Sequence, residues 1–226
     1  MNDDRTNYIP ALRYEWLTGL YDTVMDKLMH ETEFKQALVR QARLAKNHRV
    51  LDLGCGTATL TLIIKQSFPN TEVTGLDGDP KSLGIAKEKI SRSGLNITLD
   101  EGMAFDLPYP DNSFDRVFSG LLFHHLTRED KERTLKEVYR VLRPGGELHV
   151  ADWGKANSVK MRLAFFLVQF LDGFSTTSDN VNGLLPVFFN KADFQDVTET
   201  ARYATIFGTM SLYKSRKPAH SFMTAT

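Results

Sequence analysis

Cysteine is almost absent from this sequence. Cys55 is the only cysteine among 226 residues, so the chain cannot form an internal disulfide. The first five residues also lack the basic and apolar pattern of a secretory leader. Both absences lead us to expect a cytoplasmic protein.

An excess of one charge and a long apolar run are missing as well. Basic and acidic residues both number 28, so no net field draws the chain to nucleic acid or to an anionic membrane. The longest apolar run, residues 163–171, is far shorter than the ~20 residues that a membrane-spanning helix needs. We therefore expect no nucleic-acid partner and no transmembrane segment.

The sequence does contain a regular alternation of strand-like and helix-like stretches. Short apolar or β-branched runs predict strands at residues 49–53, 72–77, 96–100, 114–120 and 146–153. Helical spacing predicts two helices within residues 11–46, separated near residues 30–32, and further helices at 57–66, 80–92 and 128–142. Asp79 and Thr127 are the expected N-caps, and the sequence RPGG at 143–146 is expected to end the third of these further helices.

This alternation predicts an α/β fold with a parallel, doubly wound sheet, because βαβ crossovers place helices on both faces. Near the C-terminus the pattern changes. Residues 197–206 and 209–216 have no helix between them, which predicts an antiparallel hairpin.

The turn after the first predicted strand carries the strongest functional signal. Gly54 and Gly56 lie at the carboxyl end of a strand, where open parallel sheets bind ligands, and glycine allows close backbone approach. Asp52 would repel a pyrophosphate and would suit an ammonium or sulfonium group. Asp77 ends the next strand and is placed to bind ribose hydroxyls, while Thr59 replaces the last glycine of a dinucleotide fingerprint. Together these residues indicate a cationic nucleoside.

Four stretches, VLDLGCGTATLT, VTGLDGDP, LPYPDNSFDRVFSGLLFHHL and RVLRPGGELHVADW, resemble the successive motifs of class I S-adenosylmethionine-dependent methyltransferases. The likeness is greatest to the group that includes the ubiquinone and menaquinone C-methyltransferases, and it covers residues 49–153. It implies a Rossmann-like, mostly parallel seven-stranded sheet of order 3-2-1-4-5-7-6. It also implies S-adenosylmethionine as cofactor, with S-adenosylhomocysteine as product. The sequence itself contains no carboxylate cluster with a spacing typical of Mg²⁺ ligands, so we expect no metal.

The resemblance also assigns binding roles by position. It implies that the residues around the cofactor are Asp52, Gly54, Cys55 and Gly56 at the methionine part, Asp77, Gly78 and Asp79 at the ribose, Met103 and Ala104 at the adenine, and Ser119 and Gly120 beside the transferred methyl. The family often has an aspartate facing the adenine amino group where this chain has Met103. Adenine selection is therefore expected from packing, from backbone groups or from Asp106.

Three residues at the same edge of the sheet are candidate catalytic groups. His124, His125 and Asp152 could act as bases if the acceptor must lose a proton. The alternative for the histidines is that one packs in the core and the other is solvated. Asp152 could equally serve a cap or a loop hydrogen bond.

We expect one domain with four segments: a helical cap at 1–46, the cofactor-binding core at 47–153, an aromatic insertion at 154–194, and the hairpin and tail at 195–226. Tyr14, Trp16 and Tyr21 of the cap could cover the cofactor or belong to the core. The insertion could form an apolar acceptor pocket, or it could be a helix buried against the body or a dimer seam, so the chain could be a monomer or a homodimer. Its phenylalanines are Phe165, Phe166, Phe170, Phe174, Phe188, Phe189 and Phe194.

The expected function is methyl transfer to a small or lipid-like, largely apolar molecule. The Asp/Asn-Pro-Pro-aromatic loop that serves base amines of nucleic acids is absent, with residues 119–122 in its place. Two alternatives remain at this point. One is a nicotinamide-dependent oxidoreductase on a similar sheet, and the other is a protein that binds the cofactor or an apolar ligand without turnover.

Overall fold

The computed structural model describes residues 31–156, 165, 174–205 and 208–219. The expectations for Tyr14, Trp16, Tyr21, Phe166 and Phe170 lie outside these residues, as does that for the side chain of Phe174. None of the helices in the described ranges combines the length and the apolar character needed to cross a bilayer.

Helices and strands alternate through most of the described chain. The helices are α1 (Glu31–Gln41), α2 (Thr59–Ser67), α3 (Pro80–Ser93), α4 (Arg128–Val141), α5 (Phe174–Val181) and α6 (Leu185–Lys191). The strands are β1 (Arg49–Leu53), β2 (Glu72–Asp77), β3 (Thr98–Glu101), β4 (Phe114–Gly120), β5 (Leu142–Trp153), β6 (Gln195–Ala204) and β7 (Thr209–Arg216). A short 3-10 turn, Phe123–His125, follows β4.

The strands form a single sheet of order β3-β2-β1-β4-β5-β7-β6. β1 to β5 pair in parallel, whereas β7 pairs antiparallel with both β5 and β6. The predicted fold class, strand order and C-terminal hairpin are confirmed. The strand order reverses at β1, which lies between β2 and β4.

The predicted caps are present, and several element boundaries differ from the sequence prediction. The side chain of Asp79 accepts a hydrogen bond from the Lys81 backbone N–H at 3.0 Å, and Thr127 accepts one from Asp130 at 3.1 Å. α2 begins at Thr59 because Ala58 adopts a left-handed conformation, with φ of 64°. β3 begins at Thr98 instead of residue 96, and β6 spans Gln195–Ala204 instead of residues 197–206.

Another difference concerns the sequence RPGG at residues 143–146. α4 ends before it as predicted, but β5 already begins at Leu142. The pairing of β4 with β5 shifts between the pairs Phe114–Leu142 and Arg116–Glu147, so the extra residues are accommodated as an irregularity within the strand.

Both faces of the sheet are covered. Leu51 and Leu53 of β1 belong to one core cluster with α4 and α6, while Val50 belongs to another with α1 and α2. Because side chains alternate along a strand, Asp52 lies on the same face as Val50, beneath α1 and α2. The near-continuous apolar character of β1 follows from this double burial.

Candidate active site

A cavity of about 1000 Å³ opens at the carboxyl ends of the central parallel strands. Its walls are the turn after β1, the ends of β2 and β3, the loop after β4, and the first turns of α1 and α4. The predicted site residues that line it are Gly54, Cys55, Gly56, Asp77, Gly78, Met103, Ala104, Gly120 and His125. Asp52, Asp79, Ser119, His124 and Asp152 are not among the lining residues.

The two glycines after β1 have different roles. Both have a positive φ, 69° at Gly54 and 52° at Gly56, a backbone conformation that residues with a side chain rarely adopt. A Cβ on Gly54 would lie 2.9 Å from the Leu122 side chain, whereas a Cβ on Gly56 would meet nothing within 4 Å. The close neighbour of Gly54 is thus Leu122, and Gly56 is the glycine that leaves space open in the cavity.

The backbone N–H groups of Gly54, Cys55 and Gly56 are already occupied. Those of Gly54 and Cys55 donate to the Leu76 carbonyl at 2.8 and 3.0 Å, and that of Gly56 donates to the Asp77 carboxylate at 2.7 Å. A phosphate-binding turn needs such groups directed at the ligand. The turn therefore does not suit a pyrophosphate.

Asp77 occupies the end of β2 and faces the cavity. One carboxylate oxygen accepts from Gly56 and the other accepts from the Asp79 N–H at 2.9 Å. Burial raises the pKa of Asp77, and these backbone donors oppose the rise. Each oxygen retains a second lone pair, so the fixed carboxylate can still accept hydrogen bonds from two hydroxyls.

Asp52 lies just beneath the cavity and is 1% exposed. Its Oδ2 accepts a hydrogen bond from the Thr61 hydroxyl at 2.6 Å, and its Oδ1 has no hydrogen-bond partner among the described residues. Burial raises the pKa of Asp52 to about 6. A buried carboxylate with an unpartnered oxygen is costly, and a cationic ligand nearby would offset that cost.

Two other predicted binding residues lie outside the cavity wall. Asp79 caps α3 and also accepts a hydrogen bond from the Ser82 hydroxyl at 2.9 Å. Ser119 is fully buried in β4. Cys55 is 7% exposed, and burial together with the nearby carboxylates raises the pKa of its thiol, so it is not an activated nucleophile.

The end of the cavity near β3 is bounded by packing groups. The Met103 sulfur would lie 2.9 Å from a Cβ on Gly78, so Met103 lies against the turn after β2. Phe105 lies under the Arg133 guanidinium, with the carbon of that group 4.6 Å from the ring centroid. Asp106 is exposed and does not line the cavity. Of the three means of adenine selection expected from the sequence, packing by Met103 and Phe105 fits these positions.

His124 and Asp152 form a buried polar cluster behind the cavity wall. Asp152 is fully buried and accepts hydrogen bonds from His124 Nδ1 at 2.9 Å, from the Trp153 N–H at 2.7 Å and from Asn180 Nδ2 at 3.0 Å. Burial alone would raise the pKa of Asp152, but His124 and these donors hold it below its usual range. The cluster joins the turn after β4, the end of β5 and α5. Asp152 thus makes the loop hydrogen bonds that the sequence analysis gave as the alternative to a catalytic role.

His125 is the candidate catalytic residue that does line the cavity. Its ring centroid lies 4.0 Å from that of His124. Burial, aided by the neighbouring His124, lowers the pKa of His125 to about 3. The imidazole is therefore neutral at physiological pH and is a weak base.

The described phenylalanines of the insertion pack into the body of the protein. Phe189 contacts the rings of Phe123 and Tyr213, and Phe194 contacts Tyr139. Neither these residues nor Phe165 and Phe188 line the cavity. Of the alternatives that the sequence left open, burial against the body describes these four residues, which fill the core, and an aromatic acceptor pocket does not. The apolar cavity wall comes from Leu121, Leu122 and Leu126 of the loop after β4.

Charged residues of two helices line the cavity and were missed in the sequence. Glu31 and Lys35 come from α1, and Arg128 and Arg133 come from α4. Two sequence signals could have identified them. Residues 31 and 35 are one helical turn apart, and α4 begins at the carboxyl edge of the sheet. In the described part of the chain, no three His, Cys, Asp or Glu residues are grouped so that they could hold a metal ion.

The insertion is tied to α4 by charged groups. The Asp179 carboxylate pairs with Arg128 and lies 3.6 Å from the Lys131 ammonium, which is fully buried and donates to the Thr176 carbonyl at 2.6 Å. Thr176 and Arg128 both line the cavity. This contact therefore fixes one wall of the cavity.

Residues 50–146 match a family model described as a methyltransferase domain. A demethylmenaquinone methyltransferase from Listeria monocytogenes is 34% identical over 149 residues, covering 64% of this chain and 62% of that protein. One from Thermus thermophilus is 42% identical over 143 residues, covering 63% of this chain and 62% of that protein. The chain thus spans less than two thirds of the length of these two relatives.

Among solved structures, the YcgJ protein from Bacillus subtilis superimposes with a TM-score of 0.68. The superposition covers 82% of this chain and 99% of that protein at 18% sequence identity. At this identity the similarity concerns the fold.

Proposed function

Because the chain belongs to the class I S-adenosylmethionine-dependent methyltransferases, we propose that it transfers a methyl group from S-adenosylmethionine to a lipid-like quinone of the demethylmenaquinone type. The observation that carries this proposal is the turn after β1. Its N–H groups are bonded internally, and it lies between the carboxylates of Asp52 and Asp77. Such a site suits a cationic nucleoside and does not suit a phosphate diester.

The described residues fit the cofactor in three places. Asp77 would hold the ribose hydroxyls, and Met103 with Phe105 would pack against the adenine. The unpartnered oxygen of Asp52 would face the positive charge of the methionine part. The cofactor supplies an activated methyl group on a sulfonium, so the protein chiefly has to align the acceptor and exclude water.

The acceptor is proposed from the wall of the cavity and from the relatives. Leu121, Leu122 and Leu126 offer an apolar surface beside Gly120, and the volume of about 1000 Å³ is at the upper end of the ~300–1000 Å³ typical of ligand pockets. Two relatives carry the name demethylmenaquinone methyltransferase. We propose that His125 orients a ring hydroxyl of the acceptor, since a pKa of about 3 makes it a poor general base.

The alternatives left by the sequence have less support. The occupied N–H groups of the turn oppose binding of a nicotinamide dinucleotide. The relatives favour an enzyme over a protein that only binds the cofactor.

The test is an assay with methyl-labelled S-adenosylmethionine and demethylmenaquinone in detergent. We expect label in the extracted quinone, which gains one methyl group by mass spectrometry, and we expect Asp77→Ala to abolish the transfer. The matched control is Glu88→Ala, which removes an exposed helical carboxylate that does not line the cavity. Label in water-soluble products of a cell extract but never in the quinone would refute the quinone acceptor and leave the methyltransferase assignment standing.

A further inference from the structure

The first turn of α1 brings an ion pair to the cavity that neither the motifs nor the relatives assign. Glu31 and Lys35 are one helical turn apart, pair with each other and both line the cavity. Their side chains are only 24% and 10% exposed. An exposed i, i+4 ion pair is a common surface feature. In a largely desolvated pair, however, the cost of desolvation roughly cancels the attraction between the charges, so stability alone does not explain its presence.

The position of Lys35 shows which end of the cavity the pair faces. Its Cε would lie 3.9 Å from a Cβ on Gly120, at the end of β4. Its charge also lowers the pKa of Asp52, at the end of β1, against the larger effect of burial. Lys35 therefore lies over the ends of β1 and β4, beside the glycine turn.

Three other cations of the cavity wall have partners of their own. Lys89 donates to the Thr57 hydroxyl at 2.8 Å, Arg128 pairs with Asp179, and Arg133 lies over Phe105. Among the described lining residues, Lys35 is the cation next to Gly120 and Asp52.

We propose that Glu31 and Lys35 bind the amino-acid head of the cofactor. The Lys35 ammonium binds the α-carboxylate, and the Glu31 carboxylate binds the α-ammonium. This inference rests on the proposed function, since it assumes that the cavity binds S-adenosylmethionine. The head is a zwitterion with one positive and one negative group. Glu31 and Lys35 offer one group of each opposite charge on the same face of α1. Asp52 alone could not serve the head, because a carboxylate repels the α-carboxylate.

The experiment compares two ligands that differ in this head. S-adenosylhomocysteine carries it, whereas 5′-methylthioadenosine has the same nucleoside and thioether without it. For Lys35→Met we expect calorimetry to show a loss of at least about tenfold in affinity for S-adenosylhomocysteine, the size of a lost charge-assisted hydrogen bond, and unchanged affinity for 5′-methylthioadenosine. Arg40→Ala, an exposed cation on the same helix, should leave both affinities unchanged.

A double variant, Glu31→Lys with Lys35→Glu, separates binding from helix stabilisation. It keeps an ion pair at the same spacing but reverses its order, so we expect affinity for S-adenosylhomocysteine to remain low while the melting temperature returns toward that of the wild type. Equal losses for both ligands in Lys35→Met, or wild-type binding by the reversed pair, would overturn the proposal. A wild-type protein that bound neither ligand would instead refute the proposed function itself, and this inference with it.

Discussion

At the scale of single residues, similar side chains take different roles according to what surrounds them. Gly54 and Gly56 are one residue apart, yet Leu122 fills the space beside the first and the cavity lies beside the second. His124 and His125 are adjacent, yet the first is bonded to Asp152 and the second lines the cavity. Residue type alone could not separate these roles.

The two glycines should respond differently to alanine. Gly54→Ala forces a side chain into a left-handed conformation and against Leu122, so we expect it to lower the free energy of unfolding by about 2–3 kcal/mol. Gly56→Ala meets no neighbour and should cost only about 1 kcal/mol, but its methyl group should weaken S-adenosylhomocysteine binding. Urea unfolding and calorimetry measure the two effects.

A third glycine is the control for these variants. Gly84 lies in α3, is exposed and has open space around it, so Gly84→Ala should raise stability by up to about 1 kcal/mol. If Gly54→Ala were as stable as Gly56→Ala, the close contact with Leu122 would not be a determinant of the turn.

His125 should make the protein less stable in acid. Its pKa is about 3 in the folded state against about 6.5 in an unfolded chain, so the unfolded state binds more protons between these values. The stability due to neutral His125 is complete above pH 6.5 and is lost as the pH falls toward 3. At pH 5 this loss amounts to up to about 2 kcal/mol.

Urea unfolding of the wild type and of His125→Asn at pH 7.5 and pH 5 measures this loss. We expect the wild type to lose more stability than the variant between the two pH values. His48 and His149, whose pKa values are lowered mainly by burial, add a loss of the same sign that both proteins share. Identical losses in the two proteins would show that His125 is solvated.

At the scale of elements, polar contacts decide how the insertion meets the sheet. Asp152 joins β5, the turn after β4 and α5, while Asp179 joins α5 to α4. α6 is held by apolar contacts instead. Phe189 of this helix and Phe194, which follows it, both belong to the core cluster. The wall of the cavity that carries Thr176 depends on the polar contacts.

We expect Asp179→Ala to lower the free energy of unfolding by about 2–3 kcal/mol. The variant leaves the fully buried ammonium of Lys131 without a carboxylate, and burial already lowers the pKa of that lysine. Adding Lys131→Met removes the stranded charge and should recover at least half of the loss. Urea unfolding of the single and double variants gives this coupling.

The control is the exposed pair of Lys191 with Glu132, 3.6 Å apart. Glu132→Ala should change stability by less than about 1 kcal/mol, because solvent screens such pairs. Additive effects of Asp179→Ala and Lys131→Met would mean that the two residues do not interact in the folded protein.

At the scale of the whole molecule, the cavity lies where the strand order reverses. β1 continues to β2 on one side and lies against β4 on the other, which opens a crevice at their carboxyl ends. α1 and α4 extend over this crevice with their first turns. The topology therefore brings residues from 31 to 176 of the chain to one site.

Ligand binding at this site should stabilise the entire fold. S-adenosylhomocysteine at one hundred times its dissociation constant contributes about 2.7 kcal/mol, which for a chain of this size raises the melting temperature by about 5–10 °C. Scanning calorimetry measures the shift. NADH at the same concentration should produce none, and a shift with NADH but not with S-adenosylhomocysteine would favour the oxidoreductase alternative.

The sequence by itself determined the alternation of strands and helices and the C-terminal hairpin, and its resemblance to a known family supplied the strand order. Local signals can be read from a single sequence. They include the hydrophobic periodicity, the caps at Asp79 and Thr127, and the glycines with Asp52 and Asp77. The β5 boundary was placed late because its irregular start depends on pairing with β4 across the sheet.

Only the tertiary structure decided which side chains reach the cavity. It placed Leu122 against Gly54, turned the described phenylalanines of the insertion into the core, and set Glu31 and Lys35 beside Gly120. These contacts join elements that are far apart along the chain. They follow from how packed helices and strands fill space, a property that no local period or motif records.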